Sequence, residues 1–140
     1  MEQRAERRDQ LQKEVDELSS EIEALRSRRE SVIQHAIDAF DQALEDVVAI
    51  FNPSFEKARL EKHVDNSGRT TQLELVIARD GREISVNALS EGEVELIGLM
   101  AALAGYEAFD VADQVPCILI DHLGSLASEH IHTLVNYLED

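Results

Sequence analysis

The sequence predicts an α/β domain containing an antiparallel β-meander, preceded by a long coiled-coil helix. Three observations predict it: an apolar heptad seam near the amino end, two turn signals bracketing an alternating segment, and a short continuous apolar run followed by an amphipathic stretch. Strand followed by helix is the order of an α/β core.

Apolar residues recur at Leu11, Val15, Leu18, Ile22 and Leu25, then at Val32 and Ala36, with Arg29 filling one gap. Steps of four and three make a coiled-coil seam, flanked by Glu, Arg, Gln and Lys. A helix lying on its own domain would show a wider apolar stripe, so a seam this narrow wants a partner helix. From Ile33 the apolar set continues as Ile37, Phe40, Leu44, Val47, Val48 and Phe51, shifted by one position from the heptad frame. The coil therefore runs on into the globular part as one helix. It stops at Asn52, because the residue before Pro53 is pushed out of the helical region.

Residues 57–86 change period. Asp65-Asn66-Ser67-Gly68 and Asp80-Gly81 are turn signals, and Leu73, Leu75 and Ile77 alternate with Gln72, Glu74 and Val76. Strands are expected at 57–64, 70–79 and 82–87. Ser90 then precedes a long apolar helical stretch, and loop residues follow around 110–116. Residues 117–120 read as a strand buried on both faces and ending in Asp121; Ile131, Leu134, Val135 and Leu138 mark the last amphipathic helix.

The charge balance narrows the function classes. Twenty-nine acids against thirteen bases give a net charge of −16, which excludes a free-standing polyanion binder. Only three of the bases are Lys, and such an acidic surface suits a salt-rich cytoplasm, where ions screen its self-repulsion. The charge divides unevenly. Residues 1–30 carry nine acids and seven bases, whereas residues 31–140 carry twenty and six. The apolar run at 96–106 is too short to span a bilayer, and Met1 leads into Glu2, Arg4 and Glu6 rather than an apolar signal core. Neither membrane nor secretion is expected, and the lone Cys117 fits a reducing cytosol.

Two segments could carry chemistry. In Leu89-Ser90-Glu91-Gly92-Glu93, Ser90 and Glu93 form a capping box that presents backbone N–H groups in fixed directions at a helix start. Such a tip attracts phosphate, although Glu91 and Glu93 compete for the same field. Most boxes of this kind only start helices. In Cys117-Ile118-Leu119-Ile120-Asp121, an acid at the carboxyl end of a buried strand can hold Mg²⁺, although many such acids only cap a turn.

Taken together, the two segments resemble the ABC-type ATPase heads of the structural-maintenance-of-chromosomes (SMC) superfamily, including the double-strand-break-repair ATPases, and are closest to the archaeal SMC-related branch. LSEGE is similar to the signature motif LSGGE or LSGGQ, and CILID to Walker B. The resemblance covers almost the whole chain. It implies a coiled-coil helix over 1–52 and, over 53–140, the C-terminal lobe of a P-loop (ABC-type) NTPase head. It also implies ATP and Mg²⁺ as cofactors. Ser90 and Gly92 would contact the γ-phosphate of ATP bound on an opposite head, within a signature made of Leu89, Ser90, Glu91, Gly92 and Glu93. Asp121 would support Mg²⁺ in its own head, and Ser125 and Ser128, in the D-loop, would join the nucleotide-binding residues.

Departures from the pattern matter equally. The position of the catalytic Glu holds His122, a candidate base near neutral pH, and the stretch Gly124-Ser125-Leu126-Ala127-Ser128 lacks the D-loop acid. No G-x-x-x-x-G-K-[ST] loop is present, and no Lys or Arg follows Arg82. The cationic half of a triphosphate site must then come from an N-terminal lobe carrying Walker A, and the chain is expected to be a C-terminal half that cannot turn over ATP alone. The implied partners are that lobe, a second head in an ATP sandwich, and DNA through the full assembly. A non-catalytic coiled-coil interaction module with relic ABC motifs is the alternative. Arg4, Arg7 and Arg8, and Arg26, Arg28 and Arg29, could touch DNA phosphates, but their interleaved acids favour solvated helix charge. His130 and His132 diverge on a helix and read as surface histidines. With neither coil partner nor neighbouring strands, the isolated chain is expected to self-associate.

Overall fold

A computed structural model describes residues 1–121 and 123–139. Helix α1 (Glu2–Phe51) is followed by strands β1 (Lys57–Val64), β2 (Thr70–Arg79) and β3 (Arg82–Ser85), then by helices α2 (Glu91–Ala108) and α3 (Ser128–Glu139). The architecture is mixed α/β, a long helix leading into a three-stranded antiparallel sheet.

At 50 residues, α1 is about 75 Å long. The helix is exposed as far as Arg29, and the seam residues Leu11, Val15, Leu18, Ile22 and Leu25 all face solvent. The second apolar frame behaves differently. Ile37, Leu44, Val47, Val48 and Phe51 are buried, joined by Ala43, and all but Ile37 enter the single core formed with Leu96, Ile97, Met100, Leu103 and Ala104 of α2. The one-position shift of frame thus turns the buried stripe toward α2 where the globular part begins. Asn52 ends the helix in the left-handed region (φ 44°), a conformation Asn tolerates, and its N–H still donates to the Val48 carbonyl at 2.9 Å.

The meander forms as its turns dictate. Asp80 and Gly81 both have positive φ (52° and 71°), as a two-residue primed turn requires between strands of right-handed twist. In the longer turn, the Asp65 carboxylate accepts from the Ser67 hydroxyl (2.6 Å), the Ser67 N–H (2.9 Å) and the Arg69 N–H (3.0 Å). The Ser67 hydroxyl bond, followed by the backbone bond from Arg69, holds this carboxyl below the usual range. Ala58 and Ile77, opposite each other in register, supply the sheet's buried contribution to the core. The third strand is shorter than expected. It ends at Ser85, whose hydroxyl accepts from Asn87 N–H and opens a 3₁₀ turn over Val86–Ala88.

The hairpin also braces the root of α1. Leu60 N–H donates to Asp41 (2.7 Å), and farther out Thr70 donates both its N–H (3.1 Å) and its hydroxyl to Glu30, while Arg29 reaches the Thr70 carbonyl at 3.4 Å. These bonds place the β1–β2 hairpin against α1 between Glu30 and Asp41.

One expected element is absent. Residues 117–120 form no strand; Cys117 is exposed, Ile118 is 39% exposed and Leu119 is 99% exposed, with only Ile120 packed against the core. A strand needs neighbours to satisfy its N–H and C=O groups. The β1–β2–β3 sheet does not extend to this segment.

Glu30 generates a pH prediction. Hydrogen bonds from the Thr70 side chain, then from its backbone, hold the Glu30 carboxyl below its ordinary range. A lowered folded-state pKa means that the bond's contribution is complete above the ordinary glutamate pKa and is lost as pH falls through the lowered value. The Thr70 amide should lose hydrogen-exchange protection on acidification below about pH 4, and Glu30→Gln should flatten that dependence. An unaltered acid profile in the variant would show that another group governs the junction.

Candidate functional site

Two backbone events build the site. Asn52 and Pro53 turn the chain out of α1, and Ser90 starts α2 with extended backbone (φ −68°, ψ 163°). The capping box is complete. Glu93 N–H donates to Ser90 Oγ (3.4 Å), and Ser90 N–H donates to Glu93 Oε1 (3.2 Å). With those bonds made, the N–H groups of Glu91 and Gly92 remain the first-turn donors that an α-helix leaves without an intrahelical acceptor.

The other Glu93 oxygen ties the tip to two more elements. Ser54 Oγ donates to Glu93 Oε2 at 2.6 Å, and Arg79 Nη2, at the end of β2, donates both to that oxygen and to Ser54 Oγ (3.2 Å). The expected competition between Glu93 and an incoming anion is therefore countered by a guanidinium. Glu91 is exposed and carries its charge openly.

Gly92 packs against the loop before α3. A Cβ at this position would lie 2.8 Å from the Ser125 carbonyl oxygen. Ser125 N–H in turn donates to Glu95 (3.2 Å), so the loop is anchored on α2 from two sides. Ser90, Gly92, Glu93 and Ser125 line one open cleft of about 440 Å³, together with Asn52 to Ser54 and with Ala127, Glu129 and His130 from the other wall.

The remaining candidates divide. Leu89 is half-buried and packs on the core, so its role is to anchor the tip. Ser128 opens α3 and is exposed, outside the residues lining the cleft. Asp121 is exposed and lines a second cleft with Glu95, Leu99, Tyr106 and Leu119, separate from that of Ser90. His122 lies outside the described residues. Among the described residues, no group of three His, Cys, Asp or Glu side chains converges as a metal cage.

His130 corrects the sequence reading. Its side chain is only 16% exposed and faces the Ser90 cleft, whereas His132 is exposed. No local pattern distinguishes the two, because the difference arises from where the loop delivers the first turn of α3. The Arg clusters follow the solvated reading at three positions: Arg8 lies 3.1 Å from Asp9, Arg26 lies 3.9 Å from Glu23, and Arg29 lies 2.6 Å from Glu30.

No protein-family model matches the chain. Among curated proteins it is 44% identical over 115 residues to the Smc-like protein Sph1 of Halobacterium salinarum, covering 82% of this chain and 18% of that protein. The chain is homologous to the Smc-like proteins. Sph2 of Halobacterium salinarum is 30% identical over 136 residues, and Sph3 of Haloferax volcanii is 31% identical over 129, covering 86% and 84% of this chain. The chain spans about a fifth of the length of these Smc-like relatives. They come from halophilic archaea, in keeping with the net charge of −16 as a salt adaptation. Among the described residues, no helix is long and apolar enough to cross a membrane.

The Gly92 contact carries a prediction. Ala stabilises an exposed helical position by up to about 1 kcal/mol over Gly, but here the new methyl meets a backbone oxygen that cannot rotate away. The clash should dominate. Gly92→Ala is expected to displace loop 124–128 and cost about 1–3 kcal/mol. Thermal unfolding measures the cost, and faster exchange of the Ser125 amide reports the displacement.

Proposed function

We propose that the chain forms the C-terminal part of an SMC-like, chromosome-associated ATPase head. In this reading it engages a second head through sandwiched ATP and couples engagement and hydrolysis to DNA binding, organisation or repair. The observation that carries it is the exposed Ser90 tip at an open cleft, its Gly92 closed against Ser125, in a chain homologous to Smc-like proteins.

The tip fits an anion. Ser90 Oγ and the N–H groups of Glu91 and Gly92 stand at the positive end of the α2 dipole, where a terminal phosphate of the opposite head's nucleotide would be held. A single carboxylate at Asp121 fits Mg²⁺ of the kind that keeps several waters and is shared with substrate phosphates, though it makes no all-protein cage. Bound there, the ion would supply charge neutralisation on the triphosphate. The separation of the Ser90 and Asp121 clefts suits a division in which each serves a different nucleotide. The chain's own part is to position and orient; Walker A and its Lys belong to the partner lobe, and His122 is the candidate base.

In the alternative reading, the chain is a non-catalytic interaction module with relic motifs. It is favoured by His122 standing where the family places Glu.

Two measurements separate these readings. With the chain assembled on a Walker A lobe, Ser90→Arg should abolish ATP-induced dimerisation seen by light scattering, and unchanged dimerisation would remove the clamp. Asp121→Ala should lower ATP turnover of the assembled head by at least about 100-fold if positioning of the ion supplies most of the acceleration. Turnover indifferent to Asp121, or absent from the parent, leaves the interaction module.

A further inference from the structure

We propose that Arg79 is a positioning residue for anion binding at the Ser90 tip, acting through Glu93. This rests on the nucleotide-clamp reading above and names the residue that makes the tip electrostatically competent. The first turn of α2 carries two carboxylates, Glu91 and Glu93, at the end of the helix where an anion would sit. Glu91 is exposed, and salt screens it. Glu93 is not open to solvent in the same way. Its side chain is 22% exposed and held in place by the capping box, so its charge acts on the cleft with less screening. No Lys or Arg follows Arg82, and Arg79 is the cation that reaches this carboxylate.

The geometry is more than a surface ion pair. Arg79 extends from the last position of β2, bonds Glu93 and Ser54 together, and buries its Nε, which has no hydrogen-bond partner among the described residues. A buried donor left unpaired costs folding free energy. Held this way, Glu93 keeps its capping geometry while its charge is cancelled. The box itself needs no charge at this position, since a neutral Gln completes it equally well.

That equivalence supplies the test. In the chain assembled with a Walker A lobe, with MgATP as the probe, Arg79→Gln should weaken ATP-driven association about tenfold, the effect of one uncompensated partly buried charge. In the Glu93→Gln background, where the capping box is kept and no charge needs cancelling, adding Arg79→Gln should change association by less than about threefold. Arg79→Lys, which retains the charge, should stay near the parent, and thermal unfolding checks that every variant is folded. An equal loss on adding Arg79→Gln to the Glu93→Gln protein, or an Arg79→Gln protein that associates normally, overturns the proposal. Ser90→Arg run in parallel keeps the two ideas apart. If it too leaves association intact, the clamp reading has failed; if it abolishes association while Arg79→Gln does not, only the role of Arg79 has.

Discussion

The Glu93 carboxylate is the constraint on which the globular part of the chain depends. One oxygen caps the start of α2 through Ser90, and the other receives Ser54, just beyond α1, and Arg79, at the end of β2. Three elements distant in sequence thus meet on one side chain. Apolar burial holds the same elements together, since Phe51, Phe55, Ile77 and Leu96 belong to one core. A carboxylate with a cap, a hydroxyl and a guanidinium satisfied at once is far harder to displace than an exposed ion pair worth little on its own.

The long helix relates to this centre through its two apolar frames. Its outer part presents a narrow exposed seam, while its inner part is a wall of the core. Between the two, Glu30 and Arg29 grip Thr70 and Asp41 holds Leu60, so the hairpin resists bending of the helix where it leaves the core. Helices bend readily where the backbone ladder is unsupported by packing. These side-chain bonds tie the hairpin to the helix where it leaves the core.

The turns and caps were legible because each is a local matter of stereochemistry. Asp80-Gly81 could adopt positive φ at both positions, Asn52 before Pro53 could not continue a helix, and Ser90 with Glu93 could close a box without help from elsewhere. Strand 117–120 failed for the opposite reason. Its apolar residues matched the composition of a buried strand, but a strand exists only beside another, and the antiparallel sheet is built by 57–85 alone. His130 was missed on similar grounds, since nothing in its own neighbourhood encodes the wall it faces.

The sequence by itself determined the long helix and its change of frame, the meander, the cap at Ser90 and the kinship with Smc-like proteins, because periodicity, turn chemistry and motif spacing are carried by residues near one another in the chain. Only the tertiary structure decided that Arg79 would neutralise Glu93, that Gly92 would have no room for a methyl beside Ser125, and that Asp121 and Ser90 would open onto separate clefts. Those are distances between groups brought together by folding, and the burial of α1 against α2 sets them.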